Sequence, residues 1–203
     1  MAQSVVEICN IALALVGEKQ ITNATLSDDT EAERLCSLLY PNVRDKILRA
    51  HPWNFAEKRT QLAALTETPD FEFNYYYQLP SDCLRLLRLF ETDEQFRVEA
   101  ERRIATDASP CRIVYTAKVT DPAQFDSNFV SAVAYQLASE LALVLSDNRG
   151  LQGDLRGAAD DELRNAKMFD AQESYPYKRK NKNSWTTSRR GRWGNNGPNW
   201  NGW

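Results

Sequence analysis

The apolar positions of the first fifty residues recur at helical spacing in two segments. Ser4 and Glu7 form a capping-box pattern at the start of a helix predicted over residues 4–17, and Gly17 supplies its stop. A second helix is predicted over residues 28–50, because its acidic opening suits the positive end of a helix dipole. Pro41 interrupts that helix, which predicts either a kink or two helices in series with Pro41 opening the second. The apolar stripe of the second helix contains Leu35, Leu38, Leu39, Val43, Ile47 and Leu48.

The stretch HPWNFAEKR, which begins at His51, marks the end of the second helix. Pro52 disfavours helical backbone at His51, so the helix is expected to close there. Trp53 and Phe55 are expected to begin an extended segment and to anchor it with large apolar side chains. The pattern therefore predicts a corner between a helix and a sheet.

Between residues 53 and 119 the chain changes to aromatic and β-branched runs that are separated by turn-prone residues. These runs are FEFNYYYQLP, CLRLLRLF, FRVEAERRIAT and CRIVYTAKV, and they predict four or five antiparallel strands. Alternation in the last run places Ile113, Tyr115, Ala117 and Val119 on one face of a strand, and Arg112, Thr116 and Lys118 on the other.

Two more helices are predicted after the strands. Asp121 and Pro122 supply a cap and a first-turn proline for a helix over residues 122–146, the most hydrophobic of the chain and the expected spine of the core. A polar helix follows over residues 151–172, with a narrow apolar seam of Leu155, Ala159, Leu163, Ala166 and Phe169. The predicted fold class is α+β: a helical bundle formed by the N- and C-terminal helices, with a small antiparallel β-sheet inserted over residues 53–119.

The composition changes again after residue 174, which divides the chain into a body of residues 1–174 and an extended tail of residues 175–203. The tail has no aliphatic residue and cannot bury a core of its own. It carries seven basic residues and no acidic one, so a body with a net charge of −10 continues into a tail of +7. This asymmetry indicates a charged partner. The residues predicted to bind it are Tyr175, Tyr177, Lys178, Arg179, Lys180, Lys182, Trp185, Arg189, Arg190, Arg192, Trp193, Trp200 and Trp203.

Two kinds of partner fit the alternation of aromatic and basic residues in the tail. Aromatic rings with arginine can bind single-stranded nucleic acid by stacking and phosphate contact. The same residue types dominate the strongest contacts of protein interfaces. Docking on a protein is the favoured interpretation, with nucleic-acid binding and a tail without a role as the alternatives.

The sequence offers little that suits catalysis or a bound cofactor. His51 is the only histidine, so mechanisms and metal sites that need two are excluded. The chain has no GxSxG motif, P-loop or dinucleotide fingerprint. The four cysteines form no CxxC pair and are expected to be free thiols in the core. No catalytic, cofactor-binding or metal-binding residue is predicted, although carboxylate pairs among the 28 acids leave a peptidoglycan-degrading glycosidase as an alternative.

The apolar run ICNIALALVG near the N-terminus does not fit a secretion signal or a membrane span. It has an acidic residue before it and a basic one after it, which is the wrong charge order for a signal peptide. It is also far shorter than the roughly 20 apolar residues that a spanning helix needs. No membrane anchor is predicted.

Five motifs resemble, in their order, tail tubular protein A, the head-to-tail adaptor family of short-tailed bacteriophages (podoviruses). They are ICNIALALVGE, YPNVRDKILRAHPWNFAEKR, YYYQLPSDCLRLLRL, YTAKVTDPAQFDSNFVSAVAYQLASELA and a polar closing helix. The resemblance covers about residues 4–172 and leaves out the tail. It implies a non-enzymatic virion protein that is assembled in the host cytoplasm, and it implies that Pro52, Trp53 and Phe55 form a structural packing signature.

Members of this family form a ring, commonly of twelve copies, between the portal protein and the tail nozzle protein, and double-stranded DNA crosses the ring. An acidic body suits such a conduit, because each phosphate that a protein neutralises adds salt-dependent affinity. We therefore expect carboxylates to line the channel and DNA to pass without specific binding. The basic tail is expected to point away from the channel and to dock on the portal or on a neighbouring subunit.

Overall fold

The computed structural model describes residues 4–22, 30–90 and 94–173, and all thirteen tail residues predicted to bind a partner lie outside this part of the chain. Within it the fold is mixed α+β, with four helices and two three-stranded antiparallel sheets. In chain order the elements are α1 (Val5–Val16), α2 (Glu31–Ala50), β1 (Glu57–Leu62), β2 (Tyr75–Gln78), β3 (Cys83–Leu89), β4 (Phe96–Glu99), β5 (Arg103–Thr106), β6 (Cys111–Ala117), α3 (Ser127–Leu145) and α4 (Arg149–Gln172).

The predicted caps of α1 are confirmed. The Ser4 hydroxyl accepts a hydrogen bond from the backbone N–H of Glu7, and the Glu7 carboxylate accepts one from the N–H of Ser4. At the other end Gly17 adopts a φ of 85°, a left-handed conformation that costs glycine little. Its N–H then bonds to the carbonyl of Ala14, which closes the last turn.

Helix α2 runs as one continuous helix through Pro41, so the alternative of two helices in series is wrong. Its predicted apolar stripe also needs correction, because the side chain of Leu38 is 65% exposed. Tyr40 and Arg44 are buried instead. Arg44 tolerates burial because its guanidinium pairs with the Asp45 carboxylate at 2.7 Å and lies over the Tyr40 ring.

Helix α3 is the predicted spine of the core, and its buried side chains pack against α1, α2 and α4. It begins later than expected, at the Asp126 cap, because Asp121 and Pro122 start a separate 3-10 turn. The helix is long and apolar enough to cross a membrane, yet 56% of that stretch is buried inside the protein. A core helix that is mostly buried passes the same test of length and composition as a membrane-spanning helix.

The insertion contains two sheets, not the single small sheet predicted. The first has the order β1-β6-β3 and the second the order β2-β5-β4. The run FRVEAERRIAT, which looks like one strand in the sequence, folds into the β4–β5 hairpin. Glu101 and Arg102 make this turn at φ values of 57° and 60°. Positive φ is uncommon for glutamate and arginine, so the sequence gives no signal for a turn between β4 and β5.

The central strand β6 is more deeply buried than its sequence predicts. Arg112 is exposed as expected, but Thr116 on the same face is fully buried. Strand β6 lies between β1 and β3, so its backbone is paired on both sides. Lys118 lies just beyond the strand and pairs with Asp45 of α2 at 2.9 Å. The sheets enclose a core of their own around Tyr77 and Ile113, next to the helical core.

Candidate functional site

The HPWNF stretch lies where α2 gives way to the sheets. The backbone of His51 is extended and ends α2, as Pro52 predicts. Strand β1 does not follow directly, because residues Asn54–Ala56 first make a 3-10 turn. Trp53 enters this turn with its side chain fully buried, and its indole N–H donates to the carbonyl of Ile47 at 2.9 Å. The corner is therefore held by a buried anchor with its polar atom satisfied.

Five rings pack together at this corner, and we call them the aromatic cluster: His51, Trp53, Phe55, Phe125 and Phe129. The Phe129 ring, at the start of α3, lies 5.0 Å from Trp53, 5.1 Å from Phe55 and 4.9 Å from Phe125, measured between centroids. His51 packs edge-on against Trp53 at 4.9 Å. Such pairs contribute about 0.5–1.5 kcal/mol each beyond their burial. The cluster therefore fixes the corner to α3.

Asp170, near the end of α4, fixes the corner to that helix. Its carboxylate lies 3.1 Å from the Nε2 atom of His51 and accepts the backbone N–H of Asn54 at 3.0 Å. Its backbone carbonyl accepts the side-chain amide of Asn54 at 2.8 Å. We call these three residues the Asp170 clasp. It joins segments that are 116 or more residues apart in the sequence.

Burial lowers the pKa of His51 below its ordinary value, although the hydrogen bond to Asp170 acts in the opposite direction. Lys167 of α4 and Arg85 of β3 lower the pKa further. The ring is therefore neutral at pH 7. In that state Nε2 carries the proton that is donated to the Asp170 carboxylate, because a carboxylate can only accept. This geometry holds the ring in place as a structural donor.

The predicted seam of α4 ended on Phe169, and that is wrong. The Phe169 side chain is 47% exposed, and the seam continues from Leu163 and Ala166 to Asp170. Positions 163, 166 and 170 share one face of a helix. A carboxylate on an apolar seam is the sequence signal that could have found the clasp, since it requires a buried donor opposite.

The four cysteines are free and buried, as predicted. Burial raises the pKa of Cys83 and raises that of Cys111 to about 11. A hydrogen bond with Cys36 raises the pKa of Cys9. Since the thiolate is the nucleophilic form, the raised pKa values keep Cys9, Cys83 and Cys111 as protonated thiols of low reactivity at neutral pH.

The structure brings Pro52, Trp53 and Phe55 together in one corner, whereas the predicted partner-binding residues of the tail lie outside the described chain. Among residues 4–22, 30–90 and 94–173, no three His, Cys, Asp or Glu side chains gather as they would around a metal ion. No protein-family model matches the chain, and no curated protein matches its sequence. What the chain does must therefore follow from its own residues and contacts.

Replacing Asp170 with alanine is expected to lower the free energy of unfolding by about 1–3 kcal/mol, because two donors lose their acceptor. The side-chain amide of Asn54 would keep its bond to the backbone carbonyl of residue 170. Urea denaturation followed by circular dichroism measures the loss. Asp170→Asn is the matched control, since its amide oxygen still accepts the Asn54 N–H. The neutral His51 ring can move its proton to Nδ1 and accept from the new amide at Nε2, so this variant should cost less than half as much. Equal losses in both variants would contradict the clasp.

Acidification from pH 7 to pH 5 is expected to destabilise the protein through His51. The folded pKa lies below 6.5, so the unfolded chain takes up a proton first as the pH falls. Stability is then complete above about pH 6.5 and declines below it. Because the chain has one histidine, His51→Gln should flatten the slope of unfolding free energy against pH in this range. An unchanged slope in the variant would rule out His51 as its source.

Proposed function

We propose that the chain is a structural head-to-tail adaptor of a phage virion. In this role it forms a ring between the portal and the tail nozzle, and double-stranded DNA passes through the ring. The order of the five sequence motifs suggests this role. Their positions in the fold support it, because the motifs form packed elements of the body. ICNIALALVGE lies in α1 and HPWNF in the corner, while the motif that ends in SELA supplies most of α3. These motifs serve packing.

The observation that carries the proposal is that the side chains of HPWNF serve packing and hydrogen bonds at the corner between α2 and the sheets. Trp53 is fully buried, and His51 is bound to Asp170 through Nε2 while its ring packs on Trp53. His51 joins α2 to α4 through its Nε2 atom, and Trp53 joins the corner to α3 through its ring contact with Phe129. Both residues therefore serve the packing that a building block needs.

The tail supplies the proposed attachment. Its seven cations and four tryptophans suit docking on the portal or on a neighbouring subunit, because Trp, Tyr and Arg are the residues that dominate interface energetics. Folding a polar segment onto a partner has an ordering cost. We therefore expect the free protein to be monomeric or weakly associated, and the ring to assemble on the portal.

The proposed channel is lined by carboxylates, in keeping with the body's net charge of −10. One surface of the body must then face away from DNA. Arg59, Arg85 and Arg112 are exposed and lie on the same face of the β1-β6-β3 sheet. Residues 112, 114 and 116 of β6 share that face. Arg59 pairs opposite residue 114 and Arg85 opposite residue 116. Glu57 pairs with Arg59 on this face at 2.9 Å. The arginines in excess of this pair would attract phosphates and slow the passage of DNA. We place it on the outside of the ring.

Co-sedimentation tests the proposal against its alternatives. The full chain is mixed with the portal protein encoded by the same genome and separated on a density gradient. An adaptor moves into the portal fractions, leaves peptidoglycan intact in a zymogram and gives no salt-sensitive shift of a labelled oligonucleotide. Peptidoglycan clearing would instead identify a tail enzyme. A shift that is lost at high salt, without portal association, would identify a nucleic-acid-binding protein.

A further inference from the structure

A small cleft opens beside the aromatic cluster, between the corner, the start of α3 and the end of α4. Its volume is about 190 Å³, which is smaller than the roughly 300–1,000 Å³ typical of small-molecule sites. Phe55 and Phe125 contribute an aromatic floor, with ring centroids 5.8 Å apart. The exposed ring of Phe169 stands at one side. The cleft has the size and the chemistry to receive a single large side chain.

The rim of this cleft is acidic. Asp126, Asp170 and Glu173 line it, and none of the lining residues, all within the described chain, is a lysine or an arginine. Asp126 also caps α3 by accepting the N–H of Asn128. Asp170 belongs to the clasp. Three carboxylates around an apolar floor suit an occupant that combines an aromatic ring with positive charge.

The residues that follow Glu173 in the sequence supply such an occupant. Glu173 is the last described residue and lines the cleft. The residues that follow are SYPYKRK, which combine two tyrosines with a run of three cations that starts at Lys178. Pro176 opposes continuation of α4, because it lacks the N–H that a helix needs. Tyr177 is the fourth residue after Glu173, so the two Cα atoms lie at most about 14 Å apart, a reach that is enough to turn back over the cleft.

We propose that this cleft holds the first part of the chain's own tail, with the Tyr177 ring on the phenylalanine floor and Lys178 and Arg179 against the acidic rim. This contact sets the direction in which the tail leaves the body. It leaves the four tryptophans, from Trp185 onward, to reach a partner. The inference does not depend on the adaptor role, because it concerns the isolated chain.

A photo-crosslinker tests the contact in the full-length protein. Benzoylphenylalanine replaces Tyr177, an exchange of one aromatic residue for another, and crosslinked peptides are mapped by mass spectrometry after irradiation. The expected crosslinks join position 177 to peptides containing Phe55 or Phe125. A mixture of ¹⁵N-labelled and unlabelled protein should give only like-with-like pairs. Mixed-isotope pairs, crosslinks scattered over other surfaces, or no crosslinks would overturn the proposal.

A pair of charge variants tests the acidic rim. Asp126→Asn with Glu173→Gln removes two charges, while asparagine still caps α3. Crosslinking to the cleft should fall at least about threefold, a modest change because exposed ion pairs are weak. Asp154→Asn with Glu18→Gln is the matched control, since both residues are exposed and lie outside the cleft. An equal fall in both double variants, or a fall in neither, would contradict a role for the rim.

Discussion

Replacing Trp53 with alanine is expected to lower the free energy of unfolding by about 3–5 kcal/mol. The side chain is fully buried, so the change leaves a large cavity at the centre of the aromatic cluster. Its ring contacts with His51, Phe55 and Phe129 disappear, and the hydrogen bond from its indole N–H to the Ile47 carbonyl is lost. Domains of this size are stable by about 5–15 kcal/mol in total, so this loss is a large fraction of the whole stability.

Urea denaturation followed by far-ultraviolet circular dichroism measures this loss. Unlike tryptophan fluorescence, this signal does not depend on the side chain of Trp53, which the substitution removes. Phe71→Ala is the matched control, because that ring is 80% exposed and its removal should change stability by no more than about 0.5 kcal/mol. Trp53→Phe should fall between the two, since it keeps a ring but loses the hydrogen bond from the indole N–H to the Ile47 carbonyl. A loss below about 1 kcal/mol for Trp53→Ala would show that the corner is not a structural anchor.

Deleting residues 175–203 is expected to weaken binding to the portal at least about a hundredfold, while the body stays folded. Loss of two interface hot spots of about 2 kcal/mol each exceeds that factor, and the tail carries four tryptophans. The helical and sheet cores both form within the described residues, so the deletion removes none of their side chains. Gradient sedimentation with the portal measures binding, and thermal denaturation of the truncated chain measures folding.

A full-length variant with alanine at Trp185, Trp193, Trp200 and Trp203 separates the aromatic contribution from that of charge. It keeps every cation of the tail, so binding that depends on electrostatics alone should survive and be lost in high salt. We expect this variant to lose most of its portal affinity, as the truncated chain does. Normal portal binding by the truncated chain would refute docking through the tail.

The helices could be predicted from the sequence, because each combines apolar residues at helical spacing with recognisable ends. Ser4 and Gly17 delimit α1, and Pro52 ends α2, and in each case one local interaction decides the outcome. The prediction failed at Asp121 because the capping pattern occurs twice in six residues. The second cap, Asp126, starts α3, while the first starts only a 3-10 turn.

The sheets and the site were less accessible because their contacts are not local. Nothing in FRVEAERRIAT signals a hairpin, since its turn relies on positive φ at Glu101 and Arg102 instead of on glycine or asparagine. Trp53 and Phe55 could be recognised as anchors from their size and from the proline before them. The apolar seam of α4 marks Asp170 as a carboxylate that needs a donor, but it does not say which one. His51 and Asn54 lie 116 or more residues away and reach it only through the packing of α4 against the rest of the bundle.

Electron microscopy of the chain assembled with its portal protein tests whether it is a ring-forming adaptor. We expect a closed ring of copies, commonly twelve in the family that the sequence resembles, on the tail-facing end of the portal. In that ring the channel wall should be acidic, with Arg59, Arg85 and Arg112 turned outward. Particles without a ring on the portal, or a ring whose arginine face lines the channel, would contradict it.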